Sequence, residues 1–328
     1  MTVPGYAWVA SAALGAAFLY ASGAVIQQCA AFRSNSTRPS QPEALPMLRI
    51  LSRPLWLVGV ALDGAGFLLE FAALRAGSVS VVQPLLVSGL LFALLLGAVL
   101  SRHRLRPAEF GSAALICAGL GTFLLAARPG PGTPPASGVT WLVAGGGTLA
   151  TVGLCVLAGR GRTLPVRAAL TAGAAGLVNG LFAGLAKATG TTLHLGWLAA
   201  LHSWYPWALA AAAVLTLTLA ARAFQLGAPA AAVTGLFAVE PVSGVAAGAI
   251  LFGESIRHTP ALLAIEFLGI TACLIGVALL ARSPAVLATY APNTPPGTTP
   301  DERGPAPPRE PLLPISERTD GRCRSGRR

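Results

Sequence analysis

Charge is what this chain has little of: 11% of its 328 residues are Asp, Glu, Lys or Arg, against roughly a quarter in ordinary soluble domains. Lysine is almost missing, with Lys187 alone beside 22 arginines, and only 12 acids offset them. The five cysteines (Cys29, Cys117, Cys155, Cys273, Cys323) show no CxxC spacing, and four lie in apolar stretches, so neither a disulfide scaffold nor a zinc framework follows. His103, His194, His202 and His258 are too scattered for a metal cluster. Glycine runs at 145–147 and 173–184 have no strand context and no Gly-Lys-Ser/Thr ending, which excludes a phosphate loop and leaves close helix packing as their reason. No nucleophile and base stand in a recognisable constellation. An enzyme is not expected, nor a cofactor.

What the chain has instead is apolar length: 54% of it is hydrophobic, with a mean hydropathy of +0.67. A span needs about 20 mostly apolar residues, and nine stretches qualify: 6–32, 54–74, 78–100, 107–127, 139–159, 166–189, 204–226, 228–252 and 260–281. The sequence therefore predicts an all-α polytopic membrane protein with nine transmembrane helices. From residue 283 onward Pro, Thr and Arg dominate, a composition too poor in apolar surface to fold, and a disordered cytoplasmic tail is expected over 283–328.

The net charge of +11 would suggest nucleic acid if it were clustered, but its distribution says otherwise. With the N-terminus outside, 19 arginines fall in inner loops, inner helix ends and the tail, and only Arg75, Arg128 and Arg257 face out. Positive charge collects on the cytoplasmic side, so N-out and C-in is the expected orientation, and no nucleic-acid partner is expected. The uncharged first ten residues lack the basic start of a cleaved signal. Trp8, Trp56, Trp141, Trp197, Trp204 and Trp207 all fall near proposed helix ends, as an interfacial belt requires. Abundant Ala, Gly and Arg with a single Lys fit a GC-rich bacterial genome, hence a bacterial plasma membrane.

Residues 74–100 and 224–251 resemble each other. In each, a helix ends at a glycine (Gly77, Gly227), another follows almost without a loop, and that one closes on Gly-Ala-aliphatic-Leu. Each is followed by a short polar loop, a helix-starting proline (Pro107, Pro260), a Glu-Phe pair (Glu109-Phe110, Glu266-Phe267) and an Ala-Arg ending. Helices one to four thus pair with six to nine, and the odd fifth helix inverts the second half across the bilayer. The expected units are a first repeat over 1–128, a linker and connecting helix over 129–165, a second inverted repeat over 166–282, and the tail. Inverted repeats with a site at their midplane interface are the plan of many secondary transporters.

The blocks at 66–100 and 240–255 resemble the drug/metabolite transporter superfamily, in which a helix ending in small residues meets one carrying a proline and a terminal Gly-Glu. The resemblance covers about residues 6–282. Four helices, an extra one and four more, with a long basic loop after the first, are closer to NIPA-type magnesium transporters than to ten-helix EamA exporters. Gln27-Gln28 stand where NIPA-type proteins tend to carry lysines, and Glu240-Pro241 is closer to EamA proteins. The resemblance implies membrane transport of a small ion or metabolite.

Ionisable groups inside a span cost roughly 2.5–3.5 kcal/mol each on insertion scales, so they normally face a cavity or a partner. Asp63 and Glu70 are seven residues apart, on one helix face about 10 Å apart. Glu240 lies near a midplane and precedes Pro241, and Gln83-Pro84 repeats the polar-proline pattern; Pro84 and Pro241 are expected to kink their helices. Asp63 and Glu240, with Glu70, Gln83 and Thr234 behind them, are the candidate ion or substrate pathway. Carboxylate and amide oxygens suit magnesium, but the same acids would serve proton coupling or an organic cation. Glu109 and Glu266 are read as helix-start acids favoured by the macrodipole, Lys187 as a residue snorkelling at an outer helix end, and Asn179 equally as interhelical glue or ligand.

Magnesium or another divalent cation, moved by alternating access, is the first expectation. Export of a small metabolite or organic cation is the alternative. A third reading is a non-transporting membrane protein that recruits a partner through its tail. A homodimer is compatible with the sequence.

Overall fold

The computed structural model describes residues 3–35, 54–101, 106–127, 136–254, 260–283 and 286–287. The basic loop at 36–53 and most of the expected tail lie outside the described residues. Among those described there is no strand, and helix follows helix: α1 (Val3–Asn35), α2 (Pro54–Ala76), α3 (Val79–Leu86), α4 (Gly89–Ser101), α5 (Pro107–Ala127), α6 (Gly138–Ala158), α7 (Leu164–Leu193), α8 (Trp197–His202), α9 (Tyr205–Gln225), α10 (Pro229–Phe252) and α11 (Pro260–Leu280). Among the described residues, eight stretches are long and apolar enough to cross a membrane. The chain is an all-helical, multi-pass membrane protein.

The expected third span divides in two. Around Val87 and Ser88 the backbone makes i→i−3 bonds (Val87 N to Pro84 O, Ser88 N to Leu85 O, Leu90 N to Val87 O), one turn after Pro84 has removed a donor. Pro241 does not break its helix, and α10 runs through it to Phe252.

Helix packing follows the small residues. α1 lies against α2 and against α3 and α4; α7 lies against α9 and α10; α5 pairs with α11, and α3 crosses α10. Where α5 meets α11 the backbones nearly touch. A side-chain carbon on Gly119 would sit 2.6 Å from the Gly269 carbonyl, and one on Gly276 would sit 2.9 Å from the Ser112 carbonyl. The glycine-rich face of α7 does the same for α10, because a carbon on Gly176 would lie 2.8 Å from Leu236 O and one on Gly180 2.5 Å from the Ser243 backbone. Without a hydrophobic driving force between helices in lipid, such close approach is what van der Waals packing rewards. Packing does not account for the other glycine run: Gly145, Gly146 and Gly147 have nothing within 4 Å of a would-be side chain.

Contacts at the helix ends place the start of α1 beside the α2–α3 turn, where Val9 packs on Gly77. At the opposite ends of their helices, Ser283 bonds to Glu109 Oε1, and Val286 beyond it is fully buried, so packed structure continues a few residues past the expected start of the tail. Trp141 stands near the start of α6, as expected, but faces the bundle. It is buried, edge-on to Trp204, Tyr205 and Phe252, and anchors α6 to the rest of the bundle.

Candidate functional site

A cavity of about 410 Å³ lies midway along the bundle. Tyr20 on α1, Glu70 and Phe67 on α2, Asn179 and Phe182 on α7, Thr216 on α9, and Glu240 and Phe237 on α10 give it its chemistry, and most of the remaining wall is Ala and Leu. Glu70 and Glu240 therefore reach one space from opposite halves of the sequence.

Each acid is held by local geometry. Glu70 is buried on the α2 face that packs on α1, and Tyr20 Oη donates to its Oε2 at 2.7 Å. Gln83 Nε2 donates to Oε1 at 3.0 Å from α3. Hydrogen bonds to a charged group are worth roughly 1.5–3 kcal/mol each, which offsets part of the burial cost. On the other side Asn179 Nδ2 donates to Glu240 Oε1 at 2.7 Å. That contact exists because Gly176 and Gly180 let α10 approach within backbone distance, and Ser243 Oγ fixes the crossing by reaching Gly176 O at 2.7 Å. Among the described residues at and behind the cavity wall, Gln83 Oε1 and Thr216 Oγ1 are buried without a hydrogen-bond partner.

The sequence candidates divide accordingly. Glu240 and Glu70 line the cavity, and Gln83, fully buried, stands behind Glu70. Asp63 does not line it: its carboxylate takes a hydrogen bond from Gln27 on α1, close to Gly23. Thr234 is also absent from the wall, since its hydroxyl donates to Ala230 O within its own helix at 2.8 Å. Asn179 acts as interhelical glue and as lining at once. Tyr20 and Thr216 were missed, because a hydroxyl in an apolar helix carries no periodicity that says which way it faces.

Lys187 does not snorkel. It is buried, its Nζ lies 2.6 Å from Glu254 Oε1 and 4.7 Å from the centre of the Phe252 ring. Glu254 in turn sits on the N-terminus of α3. Its Oε1 accepts from Val79 N (2.8 Å), and its Oε2 from Ser80 N (2.9 Å) and Ser80 Oγ (2.6 Å). The side chain of Ser78, the residue before α3, makes no capping bond, so the first turn is capped by an acid 174 residues further on. Gly253 makes this geometry available: at φ 56° it ends α10 in the left-handed region and folds Glu254 back, with its N–H on Gly248 O. In the sequence Gly253-Glu254 figures only as the terminal Gly-Glu of the superfamily resemblance, and the acid has no role assigned there, because it follows the last turn of an apolar helix, where an acid looks like loop.

Glu109 behaves as expected of a helix-start acid, accepting from Arg106 N at 2.7 Å. Glu266 does not stand in a first turn: it is the seventh residue of α11 and is buried. Among the described residues no group of three or more His, Cys, Asp and Glu could hold a metal ion.

Comparison with known proteins adds one relative, an uncharacterized protein of Corynebacterium glutamicum, 27% identical over 251 residues that cover 75% of this chain and 84% of that one. No family model and no solved structure matches the chain.

Proposed function

We propose that the chain is a secondary transporter of nine spans, with two inverted four-helix halves that alternate access to the central cavity and a cytoplasmic C-terminus. The observation that carries this reading is Glu70 and Glu240 lining one cavity, one from each half. The packing pattern supports the repeat. Exchanging helices one to four with six to nine turns the α1–α2 contact into α7–α9 and the contact of α1 with α3 and α4 into α7–α10, and it returns α5–α11 and α3–α10 to themselves. The α5–α11 seam has the same symmetry at the residue level. Gly119 meets Gly269 and Cys273, while Gly276 meets Ser112 and Ile116, each pair mapping onto the other by a shift of 157 residues. The resemblance to the drug/metabolite superfamily points the same way, and the arginine distribution favours N-out.

The cargo that fits best is a small organic cation. Two carboxylates supply the counter-charge, while Phe67, Phe182 and Phe237 in the wall add apolar, aromatic surface of the kind that organic cations favour. Divalent magnesium is the second reading, favoured by the unpartnered hydroxyl oxygen Thr216 Oγ1 in the cavity wall beside the two carboxylates, because a hard cation takes oxygen ligands and keeps some of its water. Proton exchange at the two acids would supply the coupling in either case.

Reconstituted full-length protein tests both readings. Saturable uptake of a labelled quaternary ammonium ion is expected, with loss in Glu240→Gln and in Glu70→Gln. Magnesium uptake with the same losses makes the second reading correct. Uptake of either ion that survives both substitutions removes the cavity from the pathway.

A further inference from the structure

Alternating access requires the cavity to be closed at one end while the other is reachable. Toward the end where α1 begins, the bundle is packed solid: Val9, Leu74, Val79, Val82, Leu251 and Phe252 are all fully buried there. In that layer sits the buried pair of Lys187 and Glu254, which joins α7 and the end of α10 to the first turn of α3, that is, the second half of the sequence to the first. We infer that Lys187, Glu254 and the N-terminus of α3 form the latch that closes this end of the cavity, and that Gln83 links the latch to the site at Glu70. The inference rests on the transport reading above.

The chemistry suits a contact that must open. A buried ion pair contributes little net stability compared with apolar residues of the same volume, because desolvation cancels most of the attraction. When the end opens, water enters and both charges regain their hydration, so separating them is far less costly than exposing an apolar seam of equal area. In the closed state the pair is specific, since Glu254 is satisfied by four donors only when α3 is in register with the end of α10.

The link to the cavity is α3 itself. It has eight residues, is separated from α4 by the break at Val87 and Ser88, and carries Ser80 at the latch and Gln83 at Glu70, one turn apart. Both side chains rest on bare backbone of α10: Gln83 Cβ lies where a side-chain carbon on Gly244 would come within 2.5 Å, and Ser80 Oγ is equally close to such a carbon on Gly248. These glycines are four residues apart on one helix face. A short rod on a smooth face can shift as a unit, so a cargo that draws Glu70 away from Gln83 also disturbs the Ser80–Glu254 contact.

The test uses a single reporter, Ala213→Cys in the cavity wall, in full-length protein with Cys29, Cys117, Cys155, Cys273 and Cys323 replaced. A membrane-impermeant maleimide is applied from each side of sealed vesicles. From the side where α1 begins, labelling is expected to rise about tenfold in Glu254→Gln, equivalent to ~1.4 kcal/mol in the open–closed balance, and to rise less in Lys187→Met. From the other side it is expected to fall or stay level. Arg75→Ala, at the same end but exposed against His194, should change nothing. If Glu254→Gln fails to fold, the double variant Lys187→Met with Glu254→Gln, which leaves no unpaired charge, is read in its place. Labelling that stays within twofold of the parent, or that rises equally from both sides, overturns the latch. Labelling needs no cargo. Expected labelling without any cation uptake would therefore sink the transport reading and leave a closed cavity end, whereas uptake without the labelling change would sink the latch alone.

Discussion

Neutralising Lys187 and neutralising Glu254 should cost very different amounts. In Lys187→Met the acid keeps three of its donors, Val79 N, Ser80 N and Ser80 Oγ, and the cap on α3 survives. The loss is one charge-assisted hydrogen bond and the ring contact with Phe252, about 1.5–3 kcal/mol before the better burial of Met is counted against it. In Glu254→Gln the ammonium is left buried without a counter-charge, a situation that costs roughly 3–5 kcal/mol. The first turn of α3 also loses its charged cap, worth about 1 kcal/mol. The expected gap between the two single variants is thus on the order of 2 kcal/mol. The double variant should be less damaged than Glu254→Gln alone, because it removes the stranded charge. Reversible unfolding in mixed detergent micelles, followed by circular dichroism, measures all three. If Lys187→Met proves as costly as Glu254→Gln, the pair is held together by its mutual attraction, and the helix cap contributes nothing.

Other expectations follow from the packing and the cavity. Gly119→Ala should destabilise by about 1–3 kcal/mol through overpacking, since its new carbon would sit 2.5 Å from Cys273 N, whereas Gly121→Ala on the same helix, with open space around it, should stay within about 0.5 kcal/mol of the parent; the same unfolding assay decides. Asp63→Asn should reduce cation uptake far less than Glu240→Gln, because Asp63 bonds to Gln27 outside the cavity wall; equal losses in proteoliposome uptake would return Asp63 to the site. Gly244→Ala should displace Gln83 from Glu70 and lower uptake while leaving Tyr20 in place, and a Gly244→Ala protein with parental uptake would remove Gln83 from the coupling.

The sequence by itself determined the all-helical, membrane-spanning character and nearly every helix boundary. Apolar runs of about 20 residues have no other stable solution in lipid, where each backbone group must be bonded within its own segment. It also marked Glu70 and Glu240, because an acid within an apolar run is costly enough to stand out. The tertiary structure alone decided which polar groups meet. Asp63 and Glu70 share a helix face, yet Asp63 goes to Gln27 and Glu70 to Tyr20 and Gln83, since the partner is set by how deep each lies along α1 and α3. Lys187 and Glu254 are 67 residues apart, and Glu254 is 174 from the helix it caps. Nothing local in the chain encodes those distances. They close only when glycine faces let α7, α10 and α3 come together and Gly253 turns the acid back on itself, a geometry fixed by packing between segments and not by the pattern within any one of them.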